Sequence, residues 1–167
     1  MIFGKKNKSG NRSVNLSFID GIESYSKGIA VELSMDDKDK CLTIKSRAFK
    51  DKPVIKLKYE QIVAANVVTE KEIIESDKSV VGRAVVGGVL LGPLGAIVGG
   101  MSGIGNKTKS NTHYFMVINY KSNTEETKVL SFEIVGASLH LSDFIKELRT
   151  KIDSNEIDNV IEKEIYL

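Results

Sequence analysis

The chain has 167 residues, enough for one domain with a small appendage, and its formal charge of +2 is too small to indicate a strongly acidic or basic partner. The single cysteine, Cys41, excludes a disulfide within one chain and suits a reducing compartment. The first residues turn basic at once, without the apolar stretch of an export signal, so we expect a cytoplasmic protein.

Residues 1–13 form a polar, basic stretch that contains no acidic residue. This composition predicts a flexible arm at the start of the chain. Ile2 and Phe3 stand beside Lys5, Lys6 and Lys8, a combination that offers a weak anchor for anionic lipid. A solvated arm and an arm that contacts a membrane both fit the sequence.

Segments with the two-residue periodicity of β-strands follow at short intervals. A charged turn at 36–40 and a polar turn at 121–126 each separate two such segments, so both places predict hairpins. The predicted strands cover residues 14–22, 29–35, 41–47, 54–59, 63–74, 112–120 and 127–135.

After Gly136 the apolar residues change to helical spacing. This pattern predicts an amphipathic helix over residues 138–153. In the charged tail, 154–167, three isoleucines lie four residues apart and predict a short second helix. The apolar positions of the first helix are Leu139, Leu141, Phe144, Ile145, Leu148 and Ile152.

The order of these elements predicts an α+β fold over residues 14–153. We expect a small, strongly bent antiparallel sheet or barrel that is closed by the C-terminal helix, because the helix can bury its apolar stripe over an open end. This is the arrangement of pleckstrin-homology-like domains.

Residues 79–105 interrupt the strands with an apolar, glycine-rich insert. Small residues recur in it at four-residue spacing, which on a helix places them on one face and lets a second helix approach closely. The first register is Ala84, Gly88, Gly92, Ala96 and Gly100, and the second is Gly95, Gly99 and Gly103.

Pro93 stands in the middle of the insert, where a proline breaks a helix at a cost of about 3 kcal/mol. The sequence therefore predicts a helical hairpin with arms near 79–91 and 94–104 and with Leu90, Leu91 and Leu94 near its tip. Each arm is too short to cross about 30 Å of hydrocarbon. Basic residues flank both ends, as expected of cytoplasmic ends, and we expect them to contact anionic headgroups: Lys78, Arg83, Lys107 and Lys109.

Three segments together resemble a group of small bacterial and prophage proteins. They are LKYEQI at 57–62, KSVVGRA at 78–84 with the glycine-rich run that follows, and YFMVINY at 114–120. Proteins of this group carry a pleckstrin-homology-like domain with a glycine-zipper-like insert. The resemblance implies that fold and a binding or scaffolding role, and it implies no catalytic activity.

The sequence offers no convincing catalytic, metal or nucleotide site. Residues 100–108 approach a phosphate-binding loop, but Asn106 interrupts the pattern and a strand follows where a helix is required. His113 and His140 have no ligand partners at metal-binding spacing, and Cys41 reads as a packing residue. The acidic turn at 36–39 lacks the glycine and glutamate of a calcium loop. We expect no enzyme, cofactor, metal or nucleic-acid partner.

Several roles for the insert fit the sequence. It could rest in an anionic membrane surface at the inner face of the membrane, or it could pack against copies of itself. It could also fold back onto its own domain or remain a flexible loop. At the level of function, the leading hypothesis is a binding module that associates with membranes or self-assembles. The alternatives are a soluble protein–protein scaffold, with a peptide added to an exposed strand edge, and an oligomeric, membrane-perturbing effector.

Overall fold

An antiparallel sheet forms the body of the protein. The computed structural model describes residues 12–77, 85–93, 113–136 and 140–163, with the backbone alone for 155–163. Its nine strands are β1 (Ser13–Asp20), β2 (Ala30–Asp36), β3 (Cys41–Ser46), β4 (Ile55–Lys58), β5 (Ile62–Thr69), β6 (Val85–Val86), β7 (Val89–Leu90), β8 (Tyr114–Lys121) and β9 (Thr127–Ile134). Seven of them form one sheet in the order β4–β3–β2–β1–β9–β8–β5, whereas β6 pairs only with β7.

The sheet is bent but open, so the barrel that we predicted as one form of this sheet is not formed. Its two edges, β4 and β5, are consecutive in the chain and are joined by a short 3₁₀ turn, Tyr59–Gln61, but they do not pair with each other. A helix, α2 (Leu141–Lys163), packs across this turn, β5 and β1. The predicted C-terminal helix is therefore present and packs on the sheet, but it does not close the sheet into a barrel.

The inner face of the sheet and α2 enclose the main apolar core. Phe18 meets Phe132 and Tyr25 edge to face, with ring centroids 6.1 and 5.5 Å apart, a geometry that aromatic pairs favour. Of the apolar residues whose spacing predicted the helix, Leu139 lies outside the described residues, and the other five are buried: Leu141, Phe144, Ile145, Leu148 and Ile152.

The C-terminal region forms one helix where the sequence predicted two. The backbone of α2 continues from Leu141 to Lys163 without a break at 154. No glycine or proline stands between these residues, so nothing in the sequence terminates the helix. The charged tail is thus the extension of the helix that closes the core.

Strand β5 ends earlier than predicted and is followed by a short helix, α1 (Glu70–Asp77). The Glu72 carboxylate accepts hydrogen bonds from the Thr69 amide (2.7 Å) and hydroxyl (2.9 Å), and the Thr69 hydroxyl accepts one from the Glu72 amide (3.2 Å). This is a capping box, which satisfies amides at the helix start. The sequence Thr-Glu-Lys-Glu at 69–72 is typical of a capping box.

A second apolar cluster covers the outer face of the sheet. It forms because β8 is buried on both faces, with Met116 and Ile118 directed inward and Phe115 and Val117 outward. Four consecutive apolar residues in one strand are typical of a strand that is covered on both sides. The outer cluster consists of Ile19, Val68, Ile73, Val89, Leu91, Phe115 and Val117.

Among the described residues, no helix combines the length and the apolar character that a membrane crossing requires.

Candidate binding surface

The glycine-rich insert leaves and re-enters the sheet at one place. Thr69, the last residue of β5, pairs with Tyr114, the first residue of β8. The Glu70 amide also donates a hydrogen bond to the carbonyl of His113 (2.9 Å). The segments before and after the insert therefore meet at the same end of the sheet.

The described part of the first arm is a β-hairpin, so the helical prediction is wrong for residues 85–90. Val85 pairs with Leu90 and Val86 with Val89 across the two-residue turn Gly87-Gly88. Both glycines have positive φ, 57° and 82°, as the tight turns of such hairpins require. Two adjacent glycines disfavour a helix by up to about 1 kcal/mol each, whereas Gly-Gly between β-branched residues is a hairpin signal.

A corner follows this hairpin at Gly92 and Pro93, in agreement with the predicted turn. Gly92 has a φ of 57° and lies so close to Val129 that an added Cβ would be 3.2 Å from the Val129 Cβ. Gly88 and Gly92 are both outside helical geometry, so they cannot share a helix face as the first register assumed. Val129 in turn lies beside Gly21, the first residue after β1.

The segment Val85–Pro93 rests on its own domain. The side chains of Val89 and Leu91 are each 1% exposed and complete the outer cluster, whereas Val85 is 58% exposed. Of the predicted contact residues, Leu90, Leu91, Gly88, Gly92 and Pro93 are in this segment. The others lie outside the described residues: Ala84, Leu94, Gly95, Gly99, Gly103, Lys78, Arg83, Lys107 and Lys109.

A groove of about 420 Å³ separates the hairpin turn from α2. The groove is lined by residues of the edge strand β5 and by Arg149 of α2. The guanidinium of Arg149 donates hydrogen bonds to the Ala65 carbonyl (2.9 Å) and to the side-chain oxygen of Asn66 (2.5 Å). The Arg149 guanidinium therefore occupies part of the groove and is already hydrogen-bonded to β5 there.

A second surface, which the sequence did not reveal, is formed by the loops 21–29 and 47–54. We call it the basic tip. Tyr25 is buried between the two loops and donates a hydrogen bond to the Pro53 carbonyl (2.7 Å). Lys52 donates one to the Ser24 carbonyl (2.6 Å), and the Ser46 hydroxyl accepts one from the Phe49 amide (3.0 Å).

These bonds fix a tip with an unusual composition. Phe49 and Val54 are each 49% exposed, and basic residues stand close to both of them in the sequence. The loops carry four basic residues, Lys27, Arg47, Lys50 and Lys52, against two acidic ones, Glu23 and Asp51. Only the fold brings the two loops together, so no local sequence pattern could have predicted this surface.

The acidic turn after β2 is occupied by internal partners. Ligand atoms of Asp36, Asp39 and Cys41 lie within 4.8 Å of one another. The Asp36 carboxylate accepts hydrogen bonds from the amides of Lys38 and Asp39, and Lys56 lies 2.6 Å from the Asp39 carboxylate. The hydrogen bond from Lys56, together with its charge, lowers the pKa of Asp39. The arrangement is that of a satisfied hairpin turn.

The other residues weighed as reactive groups have structural surroundings. Cys41 is 2% exposed and lies in β3, where packing was predicted for it. His113 Nδ1 is 2.9 Å from a Glu133 carboxylate oxygen on the outer face of the sheet. Neither side chain is part of a nucleophile and base arrangement among the described residues.

The bent sheet covered by a C-terminal helix defines a pleckstrin-homology-like domain. A family model described as a glycine zipper containing PH domain matches residues 21–136. The chain belongs to this family, which confirms the pleckstrin-homology-like domain with a glycine zipper that the resemblance implied. A search of curated proteins and a search of solved structures each returned no match. Pleckstrin-homology-like domains are in general non-enzymatic binding modules, so the family suggests a binding role.

Proposed function

We propose that the protein is a binding module for anionic membrane surfaces, which it contacts through the basic tip and the glycine-rich insert together. The observation that carries this proposal is the position of the described end of the insert segment, which lies near the start of the first tip loop. The corner at Gly92 and Pro93 lies against Val129, and Val129 lies beside Gly21, where the first tip loop begins. The described segment of the insert therefore ends, at Gly92 and Pro93, beside the strand residue that adjoins the first tip loop.

The chemistry of the tip suits the interface of a bilayer. Phe49 is an exposed aromatic ring with basic residues close to it in the sequence, and such rings enter the headgroup region while basic side chains meet anionic lipids. Each Lys or Arg near an anionic surface contributes about 1 kcal/mol. The bonds of Tyr25 and Lys52 hold the tip in one conformation, so binding costs little ordering of these loops.

Flotation of the full chain with vesicles tests this proposal. We expect binding to vesicles of phosphatidylcholine with 30% phosphatidylserine, loss of binding at high salt, and no binding to phosphatidylcholine alone. Phe49→Ser should weaken binding about tenfold, because burying a phenylalanine contributes about 1.5–3 kcal/mol. Val63→Ser is the matched control, since Val63 is equally exposed but lies on β5.

To test the contact between the insert and the membrane, only a few apolar residues of the insert should be replaced. Deleting residues 80–104 would also remove Val89 and Leu91 from the outer cluster and destabilise the domain. Replacing Leu94, Ile97 and Val98 by serine retains Val89 and Leu91, the buried insert residues described in that cluster. Wild-type protein that does not bind anionic vesicles contradicts the proposal, as does equal binding by wild type, Phe49→Ser and this triple variant.

Self-assembly through the insert is the second candidate, because Gly95, Gly99 and Gly103 keep the four-residue spacing that close helix packing uses. Mass measurement in detergent-free buffer tests it. A defined oligomer that Gly99→Leu dissociates would support assembly, and a monodisperse monomer at all concentrations would contradict it.

Addition of a peptide to a strand edge is disfavoured, because both edges of the sheet are protected. Strand β4 has four residues, and two of them are exposed lysines, Lys56 and Lys58. On β5, Arg149 occupies the carbonyl of Ala65, and a register shift between Ile62 and Ala64 interrupts the ladder. Short strands, lysines and bulges are the devices by which proteins prevent edge pairing.

A further inference from the structure

The segment Val85–Pro93 lies on the outer face of the sheet without joining it. Its strands pair only with each other. The attachment to the sheet comes from side chains, and the main one is Asn119, which is 3% exposed. The Asn119 amide donates to the Leu90 carbonyl (2.9 Å) and accepts from the Leu90 amide (2.6 Å), so one side chain takes the place of a neighbouring strand.

A second attachment connects this segment to α2. The Asn66 side-chain nitrogen donates a hydrogen bond to the Gly87 carbonyl (2.6 Å). Its oxygen accepts bonds from Arg149 (2.5 Å) and from the Val67 amide (2.9 Å). Because both donors hold the oxygen, the nitrogen is directed at the hairpin turn. Arg149 is thus a positioning residue for the contact between Asn66 and the insert.

Several features favour reversible attachment. Val89 and Leu91 are its two fully buried apolar side chains, and Val85 is mostly exposed. The hairpin has only two residues in each strand, and isolated hairpins are marginal in water. Glycines with positive φ at its turn and corner add to the entropy that release restores. Local segments with few buried contacts open at lower free energy than the core.

We propose that Val85–Pro93 is a latch with a docked and a released state. In the docked state, Asn119 and Asn66 hold the segment, and Val89 and Leu91 are withheld from any partner. Release exposes these two side chains together with the apolar outer face around Phe115 and Val117. This inference rests on the proposed function, because the partner that the released segment meets is the anionic membrane surface.

A reversible disulfide tests the latch. An added Cβ at Gly92 would be 3.2 Å from the Val129 Cβ, slightly closer than the 3.5–4.5 Å that disulfides usually span. We would introduce Gly92→Cys and Val129→Cys in a Cys41→Ala background, since Cys41 is the native thiol. The oxidised protein should bind anionic vesicles about tenfold more weakly than the same protein after reduction. Equal binding by both forms overturns the latch.

Hydrogen exchange separates the latch from the membrane proposal. Because the Leu90 amide donates to the Asn119 side chain, release should make it exchange about 100-fold faster than the Val117 amide of the central sheet. Arg149→Met should speed Leu90 exchange further, whereas Lys146→Met on the same helix should not.

The two measurements give distinct outcomes. Fast Leu90 exchange in a protein that does not bind vesicles supports the latch and contradicts the membrane function. Leu90 exchange as slow as that of Val117 overturns the latch, even where vesicle binding is observed.

Discussion

At the scale of single residues, Tyr59 joins three parts of the molecule. Its ring is buried in the main core, and its hydroxyl points to an Asp37 carboxylate oxygen 3.4 Å away. The Lys151 ammonium of α2 lies 5.9 Å from the ring centroid and forms an ion pair with Asp37 (2.5 Å). Burial first, and then the negative charge of Asp37, raise the pKa of Tyr59 well above its usual value of 10.0.

This raised pKa predicts a loss of stability at alkaline pH. Below pH 10 the tyrosine is neutral in both states, so its contribution to stability is complete. Above about pH 10 only the unfolded state ionises, and stability falls by about 1.4 kcal/mol per pH unit for each such tyrosine. Tyr25 and Tyr120, whose pKa values burial also raises, add to the slope.

Urea denaturation between pH 9 and 11.5 measures this effect. Tyr59→Phe should make the decline of the unfolding free energy with pH shallower, because one ionising group is removed from the unfolded state. Tyr114→Phe is the control, since Tyr114 is 45% exposed at the start of β8. An equal slope in wild type and Tyr59→Phe would contradict the assignment.

At the scale of elements, the sequence predicted the parts of the fold in which one period dominates. The strands that build the sheet were predicted from alternation, and the buried face of α2 from helical spacing, because each pattern covers several turns or residue pairs. The predictions failed where two patterns compete. Gly88 and Gly92 are four residues apart, as on a helix, yet both are turn glycines in the structure.

The candidate site was predictable only in part. The insert stood out by composition, but its docking depends on Asn119 and Asn66, single polar residues in strands far along the chain. Their side-chain amides bond to backbone atoms of the insert, and every residue type carries these atoms. The sequence of the insert therefore contains no pattern that would predict these contacts. The four consecutive apolar residues of β8 were the one signal that the outer face is covered.

The helix α2 should contribute strongly to stability through its buried face. Leu148 is fully buried in the main core, so Leu148→Ala leaves a cavity there. We expect a loss of about 2–5 kcal/mol of unfolding free energy, measured by urea denaturation. Lys146→Ala on the exposed face should change it by less than about 0.5 kcal/mol. Similar losses of unfolding free energy for both variants would show that the buried face of α2 does not contribute specially to stability.

At the scale of the whole molecule, the family match and the folding unit differ in extent. The match covers residues 21–136 and omits β1 and α2. Strand β1 is central in the sheet, however, because it pairs with β2 on one side and β9 on the other. Helix α2 covers the inner core from the other side. Both are needed to complete the domain, although they lie outside the matched range.

A truncation experiment tests this view of the domain. The chain of residues 21–136 should lack cooperative unfolding, because β2 and β9 lose their shared neighbour and Phe132 and Met116 lose their cover. The chain of residues 12–154 should unfold cooperatively, because it keeps all the residues of α2 that the structure describes as buried. Circular dichroism during urea denaturation distinguishes them, and a cooperative transition for 21–136 would show that the matched range folds alone. The latch adds a reason for this difference, since Asn66 reaches the insert in the orientation that Arg149 of α2 imposes.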